Sequence, residues 1–552
     1  MNQHTDSQHA DSQHTDSQRN NALVRDLQDP NAYPGIDVQT VDLHETHISW
    51  VFLAGPYAFK IKKPLKNSFL DYSTLAQRKY FCEEELRLDQ RFARELYLDV
   101  VPITQENGRW KVGGQGEPLE YAVRMKRFPE DALLSVKAQS GELSHEDINR
   151  LATRIADFHQ AARRLGDNDQ NTDLSTDLGT AESIQRAASD NLDELSEVAG
   201  GPAEFAFEFV RDWTGKKAQT LRQEFIKRRE NGFVRECHGD LHLANIIGWH
   251  GELIPFDGIE FNDEFRWIDV VSDAAFTAMD LKSMGLKHLS RSFINTYLER
   301  TGDYSSLSVM QWYLVYRAMV RAKVALLRSH QSGLTQAERD EIDVDVRKHV
   351  RLAHLYAVGS LPGIFITHGV SGSGKTTVSE QLVQRFGVIR IRSDVERKRE
   401  FDIDSSQHPD DTVKNELYSA AATESTYRRL RRLARGIVRD GYTVVVDATF
   451  LKRRQRDRFR SLASREGVPF GILDCKAAPE TLRQRIIDRA KANTDASDAD
   501  LAVLERQLST REPLDRRELP EVVDQVKFGL QRDESEDLSV HSIKEMAERT
   551  TK

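Results

Sequence analysis

The sequence is short of cysteine, of long apolar runs and of a large excess of charge, and each shortage closes a class of explanation. Three cysteines in 552 residues, Cys82, Cys237 and Cys475, lie far apart without a CxxC pair. Neither a disulfide framework nor a zinc site is implied, and a reducing cytoplasm fits. No apolar run approaches the roughly 20 residues of a membrane span, and the polar N-terminus lacks the apolar core of a signal peptide. The expectation is a cytoplasmic chain with no membrane partner. A formal charge of −9 gives no global field attracting nucleic acid or an anionic surface, although a local basic face stays open.

What is present begins with length. A chain of 552 residues exceeds what one hydrophobic core serves, so two or three domains are expected, with a well-charged surface at 30% charged residues. Residues 4–18 repeat a unit of the type His-Thr-Asp-Ser-Gln, which has almost nothing to bury and reads as a disordered tail. Weak metal binding by its regularly spaced histidines is the alternative. From about residue 38 the pattern is strand-like: a hairpin 47–61 turning at Gly55-Pro56, a charged helix from Ser73 to about Phe92, then strands at 98–103 and 119–125. Residues 144–357 are mostly helical, so a small sheet lobe on a larger helical one is expected. Gly359-Ser360-Leu361-Pro362-Gly363 reads as a seam, and strand and helix alternate beyond it, as in a parallel sheet with crossover helices.

The strongest motif is Gly369-Val370-Ser371-Gly372-Ser373-Gly374-Lys375-Thr376, which fits G-x-x-x-x-G-K-[ST]. The apolar run before it reads as a buried strand, and Thr377 onwards carries apolar residues at helical spacing. A strand passing through a glycine loop into a helix aims backbone N–H groups and the positive helix end at phosphate. ATP and Mg²⁺ are therefore expected, with Lys375 on the β/γ-phosphates and the Thr376 hydroxyl on the metal. Asp447 ends the apolar strand 442–446, where a second metal contact belongs. Asp394 follows the strand 388–391, placed to accept the proton of an attacking hydroxyl, with a helix N-cap as the alternative. Arg485 and Arg489, four apart, share a helix face that would offset charge on the transferring group unless it is a solvated face. Between residues 427 and 460 twelve Lys/Arg oppose three acidic residues, a candidate track for a nucleic acid or phosphorylated acceptor, or simply a solvated face.

These residues resemble the P-loop kinase group that includes gluconate kinases, polynucleotide 5′-hydroxyl kinases and zeta-type toxins, over roughly residues 362–530. The resemblance implies an α/β P-loop domain with one site built from the loop, the two strand-end aspartates and the paired arginines. It does not carry over the acceptor.

A second motif lies upstream. His238-Gly239-Asp240-Leu241-His242-Leu243-Ala244-Asn245 has the spacing of a kinase catalytic loop, with Asp240 to orient or deprotonate a hydroxyl and Asn245 for Mg²⁺. Seventeen residues after Asp240, a strand ends in Asp257-Gly258, where a metal-binding aspartate belongs. The segment resembles the aminoglycoside phosphotransferase branch of the protein-kinase-like fold. That likeness implies an α+β bilobal domain and matches Lys60 to the strand lysine and Glu84 to its helix partner, with Glu85 as the alternative. No G-x-G-x-x-G loop precedes Lys60. Asp269 and Asp273 read as braces for the catalytic loop.

The order of the two parts resembles bacterial proteins described as bifunctional aminoglycoside phosphotransferase/ATP-binding proteins. The division expected is a tail at 1–22, a kinase-like domain at 23–358, a P-loop domain at 359–530 and a polar tail at 531–552. The function expected is ATP- and Mg²⁺-dependent phosphoryl transfer to a hydroxyl, of a small molecule or a polynucleotide end, with the kinase-like domain as a second phosphotransferase. The alternative is a regulatory ATPase switch with a ligand-binding, non-catalytic kinase-like domain.

Overall fold

A computed structural model of the chain describes residues 18–67, 70–166, 177–195, 204–330, 333–404, 407, 409–492 and 500–525. The repeat at 4–17 and the C-terminal tail lie outside these residues. The chain forms two compact units: Met1–Glu142 with Ala162–Gly179 and Gly232–Asp273, and Leu143–Ala161 with Thr180–Asn231 and Ala274–Lys552.

The first unit is built on an antiparallel sheet. Its strands are β1 (Val41–Glu45), β2 (Ser49–Ala54), β3 (Tyr57–Lys62), β4 (Tyr97–Glu106), β5 (Arg109–Val112) and β6 (Glu120–Lys126), in the order β1-β2-β3-β6-β4-β5. The β2–β3 turn needs glycine. Gly55 sits at φ +57, and a Cβ there would come 2.7 Å from the Asp37 carbonyl oxygen. Phe52, Phe59 and Ile61 pack with Leu23, Leu27 and Tyr33 in a core. That core explains a difference from expectation: residues 18–22 belong to a helix rather than to the tail, because Leu23 and Leu27 further along it are buried. Helix α1 (Leu75–Ala93) starts from a capping box of Thr74 and Gln77 and lies against β4 and β6. Further on, β7 (Val234–Glu236) pairs with β10 (Trp267–Asp269), and β8 (Ile246–Trp249) with β9 (Glu252–Pro255). The two-residue turn of the latter pair, His250 and Gly251, has φ of +49 and +83, the twist that tight hairpins require.

The second unit joins a helical layer to a parallel sheet. Its helices include α2 (His145–Ala161), α3 (Ala181–Glu194), α4 (Glu204–Glu230), α5 (Val270–Ser283), α6 (Lys287–Thr301), α7 (Leu307–Ser329) and α8 (Gln336–Val358). The sheet consists of β11 (Gly363–His368), β12 (Ile389–Arg392), β13 (Thr443–Asp447) and β14 (Phe470–Asp474), all parallel, in the order β12-β13-β11-β14. Every residue of β11 is buried, which is why the strand reads as a continuous apolar run. Helix α9 (Lys375–Phe386) leaves β11 through the glycine loop, α10 (Ser393–Glu400) follows β12, and α11 (Asp411–Leu417) and α12 (Ala420–Arg439) lead to β13. Helices α13 (Arg453–Glu466), α14 (Pro479–Ala492) and α15 (Leu501–Thr510) complete the unit. Helix α6 packs on α2, and also against α9 and β12.

Candidate nucleotide and phosphoryl-transfer sites

In parallel sheets of this kind, ligands bind where the strands end. Gly369, Gly372 and Gly374 all have positive φ, and a Cβ on Gly369 would come 2.5 Å from both the Cys475 carbonyl and the Ser373 hydroxyl. Gly374 is the N-cap of α9, so the loop delivers its amides and the helix end to one point. Lys375 folds back over the loop, with Nζ donating to the Val370 carbonyl at 2.8 Å. The Ser373 hydroxyl is buried and has no hydrogen-bond partner among the described residues, while Thr377 is exposed. Ser379 ties the two expected metal contacts together. Its hydroxyl lies 3.0 Å from the Thr376 carbonyl and 3.1 Å from Asp447 Oδ2. The Asp447 carboxylate and the Thr376 hydroxyl, on segments joined through Ser379, are oxygen donors of the kind that suits Mg²⁺.

The register of the sheet sets Arg392 of β12 opposite Asp447 of β13, so Asp394, two residues on, leaves the sheet at the same edge as Asp447. Asp394 is half-buried in the first turn of α10, whose N-cap is Arg392. It does not cap its helix. Arg485 reaches the loop, with Nη1 donating to the Gly372 carbonyl at 3.1 Å. Arg489 lies in α14, but its side chain is outside the described residues. One loop contact had no signal in the sequence: Ser371 N–H donates to Gln507 Oε1 of α15 at 2.7 Å.

Many arginines of the basic stretch 427–460 are matched by carboxylates. Arg429 pairs with Glu396, Arg435 and Arg439 with Glu466, Arg456 with Glu518, Arg458 with Glu424, and Arg460 with Glu521. The stretch is largely a set of internal ion pairs.

In the first unit, Lys60 of β3 donates to Glu85 Oε1 at 2.9 Å and also to Asp257. This corrects the expected partner, Glu84. One residue along a helix is a turn of about 100°, and Glu85 is the one facing the sheet, fully buried, whereas Glu84 turns outward to Arg87 at 2.8 Å. The cluster extends through Lys62, which binds Glu85 and Glu260, and Tyr72, which donates to Glu260. The signal for Lys62 was the two-residue period of a strand, which sets it on the same face as Lys60. Burial alone would depress the Lys60 ammonium, but Asp257 and Glu85 outweigh it and hold its pKa raised. Burial would raise the Asp257 carboxyl, and Lys60 outweighs that in turn and holds it low.

Asp257 has φ +62, an uncommon conformation for a non-glycine residue, and its N–H donates to the Tyr97 hydroxyl at 3.0 Å. Asp240 accepts from Asn245 Nδ2 at 3.0 Å, so the expected base and metal ligand touch. Asp273 accepts from the His238 and Gly239 amides at 2.9 and 3.0 Å, which fixes the loop, while Asp269 caps Val271 locally. His238 is buried, which lowers its pKa, and its Nε2 lies 2.9 Å from the Phe256 carbonyl.

The chain thus carries an antiparallel sheet with the segment expected as a catalytic loop in one unit, and a parallel sheet with a glycine loop of phosphate-binding type in the other. Residues 364–514 match a family model described as an AAA domain. Among solved structures, likenesses include a choline kinase from Cryptosporidium parvum, at 10% identity over 60% of this chain and 92% of that one, with a TM-score of 0.36. A gluconokinase from Sinorhizobium meliloti is similar at 19% identity over 35% of this chain and 93% of that one, with a TM-score of 0.23. No helix among the described residues is long and apolar enough to cross a membrane. The Mycobacterium tuberculosis protein Rv2004c and its Mycobacterium bovis counterpart Mb2027c are each 30% identical over 471 residues, 85% of this chain and 90% of theirs. With that identity over nearly its whole length, the chain belongs to the family of these mycobacterial proteins.

Proposed function

We propose that the chain is a cytoplasmic, Mg²⁺-dependent phosphotransferase whose P-loop domain, at 359–530, moves the γ-phosphoryl group of ATP to a hydroxyl. The kinase-like domain at 23–358 is a second phosphotransferase site. The observation that carries the first part is Asp394: half-buried at the sheet edge shared with Asp447, it neither caps its helix nor accepts a hydrogen bond among the described residues. A carboxylate in that condition is available to accept the proton of an attacking hydroxyl.

Lys375 and Arg485 rest on the carbonyls of Val370 and Gly372, and both would turn to phosphate oxygens when a triphosphate enters the loop. Thr376 and Asp447 would hold Mg²⁺, which screens the β/γ-phosphate charge when bound. In the kinase-like site Lys60 would hold the phosphates, Asp257 and Asn245 the metal, and Asp240 the acceptor hydroxyl. The pairing of the 427–460 arginines favours a small acceptor over a polynucleotide.

Labelled ATP incubated with pools of sugars, nucleosides and 5′-hydroxyl oligonucleotides tests this. Transfer lost in Lys375→Ala belongs to the P-loop site, and transfer lost in Asp240→Ala to the other. Asp394→Asn separates a kinase from a switch: a kinase loses transfer to its acceptor, whereas an ATPase that keeps full hydrolysis in this variant overturns the reading.

A further inference from the structure

Gln507 takes part in none of the roles assigned above, yet it touches the phosphate loop. The peptide segment at the loop tip is gripped from two helices. Ser371 N–H donates to Gln507 of α15, and the Gly372 carbonyl accepts from Arg485 of α14. Because the Ser371 partner is an N–H, only the carbonyl end of the Gln507 carboxamide can face it, and the usual ambiguity between amide oxygen and nitrogen disappears. The planar amide then holds Nε2 beside the loop, and Nε2 has no hydrogen-bond partner among the described residues.

The helix that carries Gln507 is itself fixed. Leu504 is fully buried in a cluster with Val370 of the loop, Leu451, Leu482 and Ile486. At the other end of α15, Lys452 Nζ donates to the Thr510 carbonyl at 2.7 Å and the Glu512 amide donates to the Leu451 carbonyl at 2.8 Å. The carboxamide is thus presented to the glycine loop by a braced helix.

We propose that Gln507 is a nucleotide-binding residue: its Oε1 is anchored on the Ser371 amide so that its Nε2 donates to the terminal phosphate of a nucleoside triphosphate. The proposal rests on the reading of the loop as a triphosphate site. Gln507 would thereby make the site favour a triphosphate over a diphosphate.

Gln507→Glu is the informative variant. It keeps an oxygen for Ser371 N–H but replaces the donor with a carboxylate, so a residue that only braced the loop would tolerate it. The readout is local: hydrogen-exchange protection of residues 369–386 in the full chain, titrated separately with Mg·ATP and Mg·ADP. The expected result is a Mg·ATP midpoint weakened by about ten- to a hundredfold, the worth of one hydrogen bond to a charged group, and a much smaller change for Mg·ADP. Gln507→Ala is expected to lose ATP over ADP in the same sense. Equal midpoints in Gln507→Glu and wild type, or equal losses for both nucleotides, would overturn the role of Gln507 and leave the loop reading intact. If wild type shows no protection by either nucleotide, the loop reading itself fails and takes this proposal with it.

Discussion

Asn295 completes the edge of the parallel sheet as an extra strand would. Its Nδ2 donates to the Val388 carbonyl at 3.1 Å and its Oδ1 accepts from the Arg390 N–H at 2.7 Å, so one side chain of α6 satisfies both backbone groups on either side of Ile389, where β12 begins. Arg291, one turn earlier, donates to the carbonyls of Gln384 and Arg385 at the end of α9 at 2.9 and 2.6 Å. Strand β12 leads into Asp394 and α9 begins at Lys375, so the same helix holds both segments of the P-loop site.

Asn295 is 5% exposed, and replacing it with alanine strands a buried donor and a buried acceptor. The expected loss in the opening free energy of β12 is about 2–4 kcal/mol. Hydrogen exchange of the Arg390 amide measures it. Asn295→Asp keeps the acceptor for Arg390 and is expected to lose about half as much.

Glu84 and Glu85 are expected to behave oppositely. Glu85→Ala leaves the buried ammoniums of Lys60 and Lys62 short of their shared carboxylate, which should cost about 3–5 kcal/mol in local stability of β3 and α1. Glu84→Ala removes only a contact to the half-exposed Arg87, which keeps its pairing with Glu236, so the cost is about 0–1 kcal/mol. Hydrogen exchange of β3 and α1 in the two variants makes the comparison.

Asp440 gives a pH dependence of definite sign. It sits at the C-terminal end of α12, where burial, and then the charge of Glu224, push its carboxyl up from 3.8 to about 6, with Lys217 opposing. The native state therefore binds more protons than the unfolded chain between those values. Stability falls as pH rises through that window. Asp440→Asn is expected to raise the thermal midpoint at pH 7.5 and change it little near pH 3.5. An equal change at both pH values would count against the assignment.

How much of this was legible in the sequence depends on the range of the interaction that carries it. The buried strands β11 and β13 and the glycine loop are local patterns, legible to within a residue or two. The resemblance ties Lys60 to the helix but points first to Glu84, because one residue along α1 decides between sheet and solvent and its charged sequence marks no face. Residues 18–22 read as tail because the polar repeat runs into them, while the leucines that recruit their helix into the core follow at 23 and 27. Gln507, 136 positions from Ser371, and Asn295, 95 positions from Arg390, carried no signal at all. A polar side chain that serves a distant backbone group leaves no periodic trace.

Equilibrium dialysis against labelled Mg·ATP counts the two separate sites proposed for this one polypeptide. The expected result is two equivalents per chain for wild type, one each for Lys375→Ala and Asp257→Asn, and none for the double variant. A wild-type count below two, or a count that Lys375→Ala leaves unchanged, would contradict the two-site proposal.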